Sequence, residues 1–200
     1  MRRITNCFAL MALSLLVPRG HAQSPLFAGS GPVIEAGVGY SYVNMGIPSS
    51  SRFSLNGADA SMNIDFSRRF GVKLDLGYAR AFDVFGTGHH ADVLSYMGGP
   101  VFCPVRRRRF SLQAEFLAGA ARETGVDLVT TGGTVLGFAN KFAWATGGGA
   151  QFRMAPSFYL HLGADLFHTA FFNPDAAVKG QSNFRSVISA VYTFHGGKEN

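Results

Sequence analysis

Few residue groupings in this chain have the types and spacing for chemistry. His89 and His90, with Asp92 beside them in a Gly-rich stretch, offer imidazole and carboxylate ligands for a metal. Adjacent side chains on an extended chain point opposite ways, so the pair does not supply two good ligands together. Gly147-Gly148-Gly149 has the composition of a phosphate loop, but the Lys of a P-loop and a following helical pattern are missing. Close packing or a kink in a strand accounts for these glycines better. His161 and Asp165 share one face of an extended segment, about 13 Å apart along the strand, too far for a direct hydrogen bond. Each is expected to pair across strands, for example with Arg153 or Arg185. Arg106-Arg107-Arg108-Arg109 is the densest charge run, an anion or nucleic-acid patch on one reading and a solvated turn on the other. Cys103 fits a small buried residue better than a reactive thiol. No grouping calls for a cofactor.

The elements that would position these residues are unusually legible. Apolar and polar residues alternate with period two along the chain, the mark of strands with two unlike faces. Ile34, Ala36, Val38, Tyr40 and Tyr42 oppose Glu35, Gly37, Gly39 and Ser41. Eight such stretches occur, at 33–44, 57–66, 70–82, 92–103, 110–121, 141–153, 158–168 and 183–194. Pro100 interrupts the fourth, where a bulge is expected because proline cannot donate to a ladder. Connections at 67–69, 104–109 and 154–157 are short. Those at 45–56, 83–91, 122–140 and 169–182 are long and polar. Such alternation of short turns and long loops belongs to a closed antiparallel barrel that crosses a membrane, and strands of ten residues or more are long enough to do so.

Composition agrees. Of 200 residues only 15% are charged, against roughly 25% in a soluble domain. Arg2 and Arg3, the apolar run Cys7–Val17 and the small residues of Gly20-His21-Ala22 read as a signal peptide over 1–22, leaving 23–200 as one domain. Without Arg2, Arg3 and Arg19 the basic count falls from 18 to 15 against 12 acidic residues, or +3, too little to suggest a nucleic-acid partner.

Three features favour a membrane barrel over a soluble ligand-binding one. Phe66, Phe70, Phe102, Phe110, Phe152, Phe158 and Phe194 lie beside the short turns or at the end of the last strand, as an aromatic girdle at one rim would. Tyr40, Tyr42, Tyr78, Phe82, Phe142, Trp144 and Phe184 lie toward the other. The polar face is rich in glycine, which suits the crowded inside of an eight-stranded barrel. It also carries charges of both signs, Glu35, Asp59, Asp65, Asp75, Glu115 and Asp165 with Lys73, Lys141, Arg153 and Arg185. With His161, these are expected to form an enclosed, paired network.

The chain resembles the small OmpA-like and OmpX-like eight-stranded outer-membrane barrels of Gram-negative bacteria. The resemblance covers the whole mature chain, and its most specific residues are those of the closing strand ending Ala190-Val191-Tyr192-Thr193-Phe194. Tyr192 and Phe194 resemble the terminal aromatic signal read by the barrel-assembly machinery, although His195–Asn200 follow it. The resemblance implies an up-and-down barrel in the outer membrane, surrounded by outer-membrane lipid, with both termini periplasmic. It makes Arg106–Arg109 a periplasmic turn that meets anionic headgroups. It implies a non-catalytic role in envelope structure or in presenting the long loops to an extracellular partner. Two other roles are open. Lipid-A-editing hydrolases of similar size place a Ser-His-acid set near the outer rim, where His168, Ser186 and Asp175 lie if the strand ends align. The other is a narrow channel.

Overall fold

A computed structural model describes residues 32–46, 52–84, 88–129, 133–171 and 180–194. The leader, Asp175 and the tail after Phe194 lie outside these residues. Each alternating stretch is a strand: β1 (Val33–Gly46), β2 (Arg52–Asp65), β3 (Phe70–Ala81), β4 (Ala91–Arg106), β5 (Phe110–Val129), β6 (Gly133–Ala155), β7 (Phe158–Thr169) and β8 (Gln181–Phe194). Every strand pairs antiparallel with its sequence neighbours, and β1 pairs with β8 from Ile34↔Phe194 to Asn44↔Phe184, so the sheet is a closed ring. Closure leaves no open sheet edge around the body of the barrel, the condition for burying strand backbone in hydrocarbon.

Glycine on the inner face lets neighbouring strands come close. A Cβ on Gly39 would run into the backbone of Ile188 and Ser189 at the β1–β8 seam, and one on Gly147 into Ala164 and Asp165. Side chains larger than hydrogen have no room there.

Two expectations need correction. Pro100 does not shift the register: Gly98↔Ala118 and Val101↔Glu115 belong to one continuous alignment, and Val72↔Pro100 holds on the other side. The shift lies between Phe102 and Val105, at Cys103-Pro104, where a second proline cannot donate to the ladder. The stretch 122–140 is mostly strand rather than loop. Pairing of β5 with β6 runs on from Ala121↔Lys141 to Val129↔Gly133, whereas β6–β7 pairing begins only at Trp144↔His168. The β5–β6 hairpin therefore extends past its β7 neighbour.

Candidate functional site

Inward-facing residues form two layers. Nearer the short turns the layer is polar and charged. Arg185 on β8 is its hub: Nε donates to both Asp165 oxygens at 3.1 and 3.0 Å, and Nη1 donates to Asp75 at 2.7 Å and lies 3.9 Å from Asp59. Lys73 Nζ lies 3.1 Å from Glu115 and 3.5 Å from Asp75, which joins the two cations through one shared carboxylate. A second cluster follows toward the turns. Gln151 donates to Glu35 at 3.1 Å, Asn63 donates to Asp65 at 2.9 Å, and Asp65 is salt-bridged to Arg106. A cavity of about 20 Å³, room for about one water, lies among Asn63, Gln113, Gln151 and His161.

Nearer the long loops the inside is mainly apolar, although Glu123, Thr169 and Asn183 are also buried at that end. Val43, Met45, Leu55, Val93, Met97, Leu117 and Phe167 are buried there as one cluster, with alanines closing the gaps. The lumen is thus packed with hydrocarbon at one end and with salt bridges at the other. Arg185 touches both layers, its guanidinium lying 5.8 Å from the centre of the Phe167 ring.

The outer face is apolar: Leu74 is 51% exposed, Leu162 41% and Ile188 53%. Aromatic pairs ring the short-turn end, Phe70 with Phe102, Phe110 with Phe152, and Phe158 with Tyr192, which also meets Phe194. Phe66 stands exposed beside its turn. At the other end polar side chains join the exposed aromatics on the outer face. Tyr40 donates to Asn56, Tyr42 meets Ser54 at 2.8 Å, and Tyr78 and Arg80 converge on Asp92. A greasy exterior around a filled, charged interior is the reverse of a soluble ligand-binding barrel.

The chain has the fold of the small outer-membrane barrels. Attachment invasion locus protein (Ail) of Yersinia pestis is 17% identical, with a TM-score of 0.58 over 82% of this chain and 99% of that one. Neisserial surface protein A is 11% identical, with a TM-score of 0.59 over 82% and 98%. A major outer membrane protein from Thermus thermophilus is 12% identical, with a TM-score of 0.51 over 80% and 99%. The sequence matches no protein-family model and no curated protein.

Within this outer-membrane barrel fold the predicted network is mostly assembled. Glu35, Asp59, Asp65, Lys73, Asp75, Glu115, Asp165 and Arg185 enter it, and Asp165 pairs with Arg185 across strands. Three residues depart. Lys141 has the inward parity but lies exposed, because it is on the part of β6 beyond the β7 pairing. Arg153 bends to the carbonyls of Ala155 and Pro156 at the β6–β7 turn rather than to His161 or Asp165. His161 is buried beside the small cavity with its Nδ1 unpartnered. Arg106 was read as part of a basic turn facing headgroups. It instead turns inward, where Nη2 bonds Asp65 and lies 3.1 Å from Cys103 Sγ. Arg107, Arg108 and Arg109 remain exposed.

His89 and His90 are exposed, and His90 Nε2 stands 3.8 Å from Asp92. Among the described residues no group of three His, Cys, Asp or Glu side chains is arranged to hold a metal. His168 faces outward, stacked on Trp144 at 4.9 Å, and its Nδ1 lies 3.2 Å from Ser182 Oγ. Ser186, the expected partner, is aligned with Ala164 instead. The apolar inner cluster was missed altogether. Its signal was present as consecutive apolar pairs, Val93-Leu94, Phe116-Leu117 and Leu166-Phe167, which mark segments greasy on both faces.

Proposed function

We propose that this is a non-catalytic outer-membrane protein: an exported, rigid, closed barrel that strengthens the envelope and holds its long-loop end outside the cell for recognition. The supporting observation is the lumen, filled by an apolar cluster and a salt-bridged layer, with a cavity of about 20 Å³ beside His161 that has room for about one water. Barrels of eight strands are narrow enough for side chains to fill them. Recognition then falls to the segments joining β1 to β2, β3 to β4, β5 to β6 and β7 to β8, since loops on a rigid scaffold are where binding residues concentrate. Tyr192 and Phe194 would serve the assembly machinery.

Two measurements test this. Fractionation should recover the protein in the outer membrane, with boiled and unboiled samples migrating differently on a gel. In planar bilayers the purified protein should give no discrete conductance steps; a reproducible open state would replace this reading with the channel.

The Ser182–His168 hydrogen bond favours one second reading, hydrolysis of an outer-leaflet lipid ester. A nucleophile–base pair of that kind needs a third group to orient the base and donors for an oxyanion, and no described carboxylate contacts His168. Ser182→Ala and His168→Ala strains should therefore carry the same lipid A acyl pattern as wild type by mass spectrometry. A changed pattern in both would make the protein an enzyme.

A further inference from the structure

Arg122 occupies an outward position on β5, aligned with Leu94 on β4 and Asn140 on β6. Its guanidinium lies 4.8 Å from the ring centre of Phe138, itself 68% exposed. No carboxylate among the described residues reaches it. The nearby Asp92 is already engaged, by Arg80 Nε at 2.5 Å, by Arg80 Nη2 at 2.8 Å and by Tyr78 at 3.1 Å. Asn140 is also set in place: Tyr96 donates its hydroxyl to Asn140 Oδ1 at 3.3 Å, which leaves the amide N–H groups as donors. Leu94 stands level with Arg122, and immediately below on the same face come Tyr96, Ala120 and Phe142, the upper edge of the apolar band.

A cation held over an exposed aromatic ring beside an amide donor, with no carboxylate partner among the described residues, is an arrangement for a planar or tetrahedral oxyanion. Its place at the upper edge of the band selects an oxyanion whose acyl chains lie against that band. We infer that Arg122 and Asn140, braced by Phe138 and Tyr96, form a subsite for the phosphate of a phosphorylated glycolipid in the outer leaflet. This rests on the outer-membrane reading above and adds a ligand class and residues to it. The guanidinium supplies charge-assisted hydrogen bonds and the Asn140 amide a neutral one, while the acyl chains cover Leu94 and Phe142.

The test uses the full-length protein refolded in nanodiscs and bisphosphorylated lipid A as the probe, with lipid retention read by native mass spectrometry. The Arg122→Gln/Asn140→Leu variant should retain at least about fivefold less of this lipid than wild type, the loss expected for charge-assisted hydrogen bonds partly compensated by water. Arg107→Gln, at the opposite end, should retain as much as wild type. In wild type, the Arg122 Nε–H resonance should shift with bisphosphorylated lipid A and stay in place with phosphate-free glycolipid, an observation that does not depend on a variant folding. Equal retention by the variant, equal response to phosphate-free lipid, or an equal shift with inorganic phosphate alone would each overturn the subsite. So would a variant that loses a sulfated polysaccharide but keeps the lipid. Recovery of the protein outside the outer membrane would defeat the reading of location, and the nanodisc result would still decide whether Arg122 binds phosphate.

Discussion

Arg185→Leu is expected to destabilise the barrel by about 3–5 kcal/mol, the range for removing one partner of a buried ion pair. The arginine is buried and holds Asp75 and Asp165 by direct hydrogen bonds, with Asp59 at 3.9 Å. Leucine fills part of its volume but strands those carboxylates in an enclosed space. The cost arises from the charges left behind more than from the bonds lost. The triple variant Arg185→Leu/Asp75→Asn/Asp165→Asn should therefore recover most of the loss, because the two carboxylates bonded directly to the arginine lose their charge too. Urea titration of refolded protein in lipid vesicles, read by gel mobility without boiling, measures both. A single variant as stable as wild type would show that the network is electrostatically idle.

Phe167→Ala should cost a similar amount by a different route. The ring is 2% exposed and is among the largest fully buried side chains. Its removal forfeits burial and leaves a void in the buried apolar cluster, which strands fixed by a closed ladder cannot collapse to fill. Phe→Ala changes at such sites cost about 3–5 kcal/mol. Because Arg185 lies against this ring, the combined Phe167→Ala/Arg185→Leu loss should differ from the sum of the two by about 0.5–2 kcal/mol. Strict additivity would mean that the apolar and charged layers act independently.

The fold was legible because a barrel strand has two environments and a side-chain period of two, so Val72, Leu74 and Leu76 against Gly71, Lys73 and Asp75 announce their faces without knowledge of any neighbour. What escaped was depth along the barrel axis. Period two separates inside from outside but does not say whether the inside at a given height is salt-bridged or greasy. Phe167 and Leu117 thus went unassigned, although they share the parity of Asp165 and Glu115, which places them inward. Arg106 was misread for a related reason. A run of four arginines looks uniform, yet Arg106 is the last residue of β4 and aligned with Ser111 on the inward face, while the next three belong to the turn. The Ser182–His168 contact depended on a β7–β8 alignment that no local pattern encodes.

The hub of the charged layer is carried by the last strand, while its partners belong to β2, β3 and β7. A chain halted after its seventh strand would hold Asp59 and Asp75 with only Lys73 to answer them, and Asp165 with no cation near. Sealing the ring and cancelling this surplus of negative charge are consequently one event. An unfinished copy would bring that surplus against the hydrocarbon it must enter, and the last strand to arrive is the one that removes it.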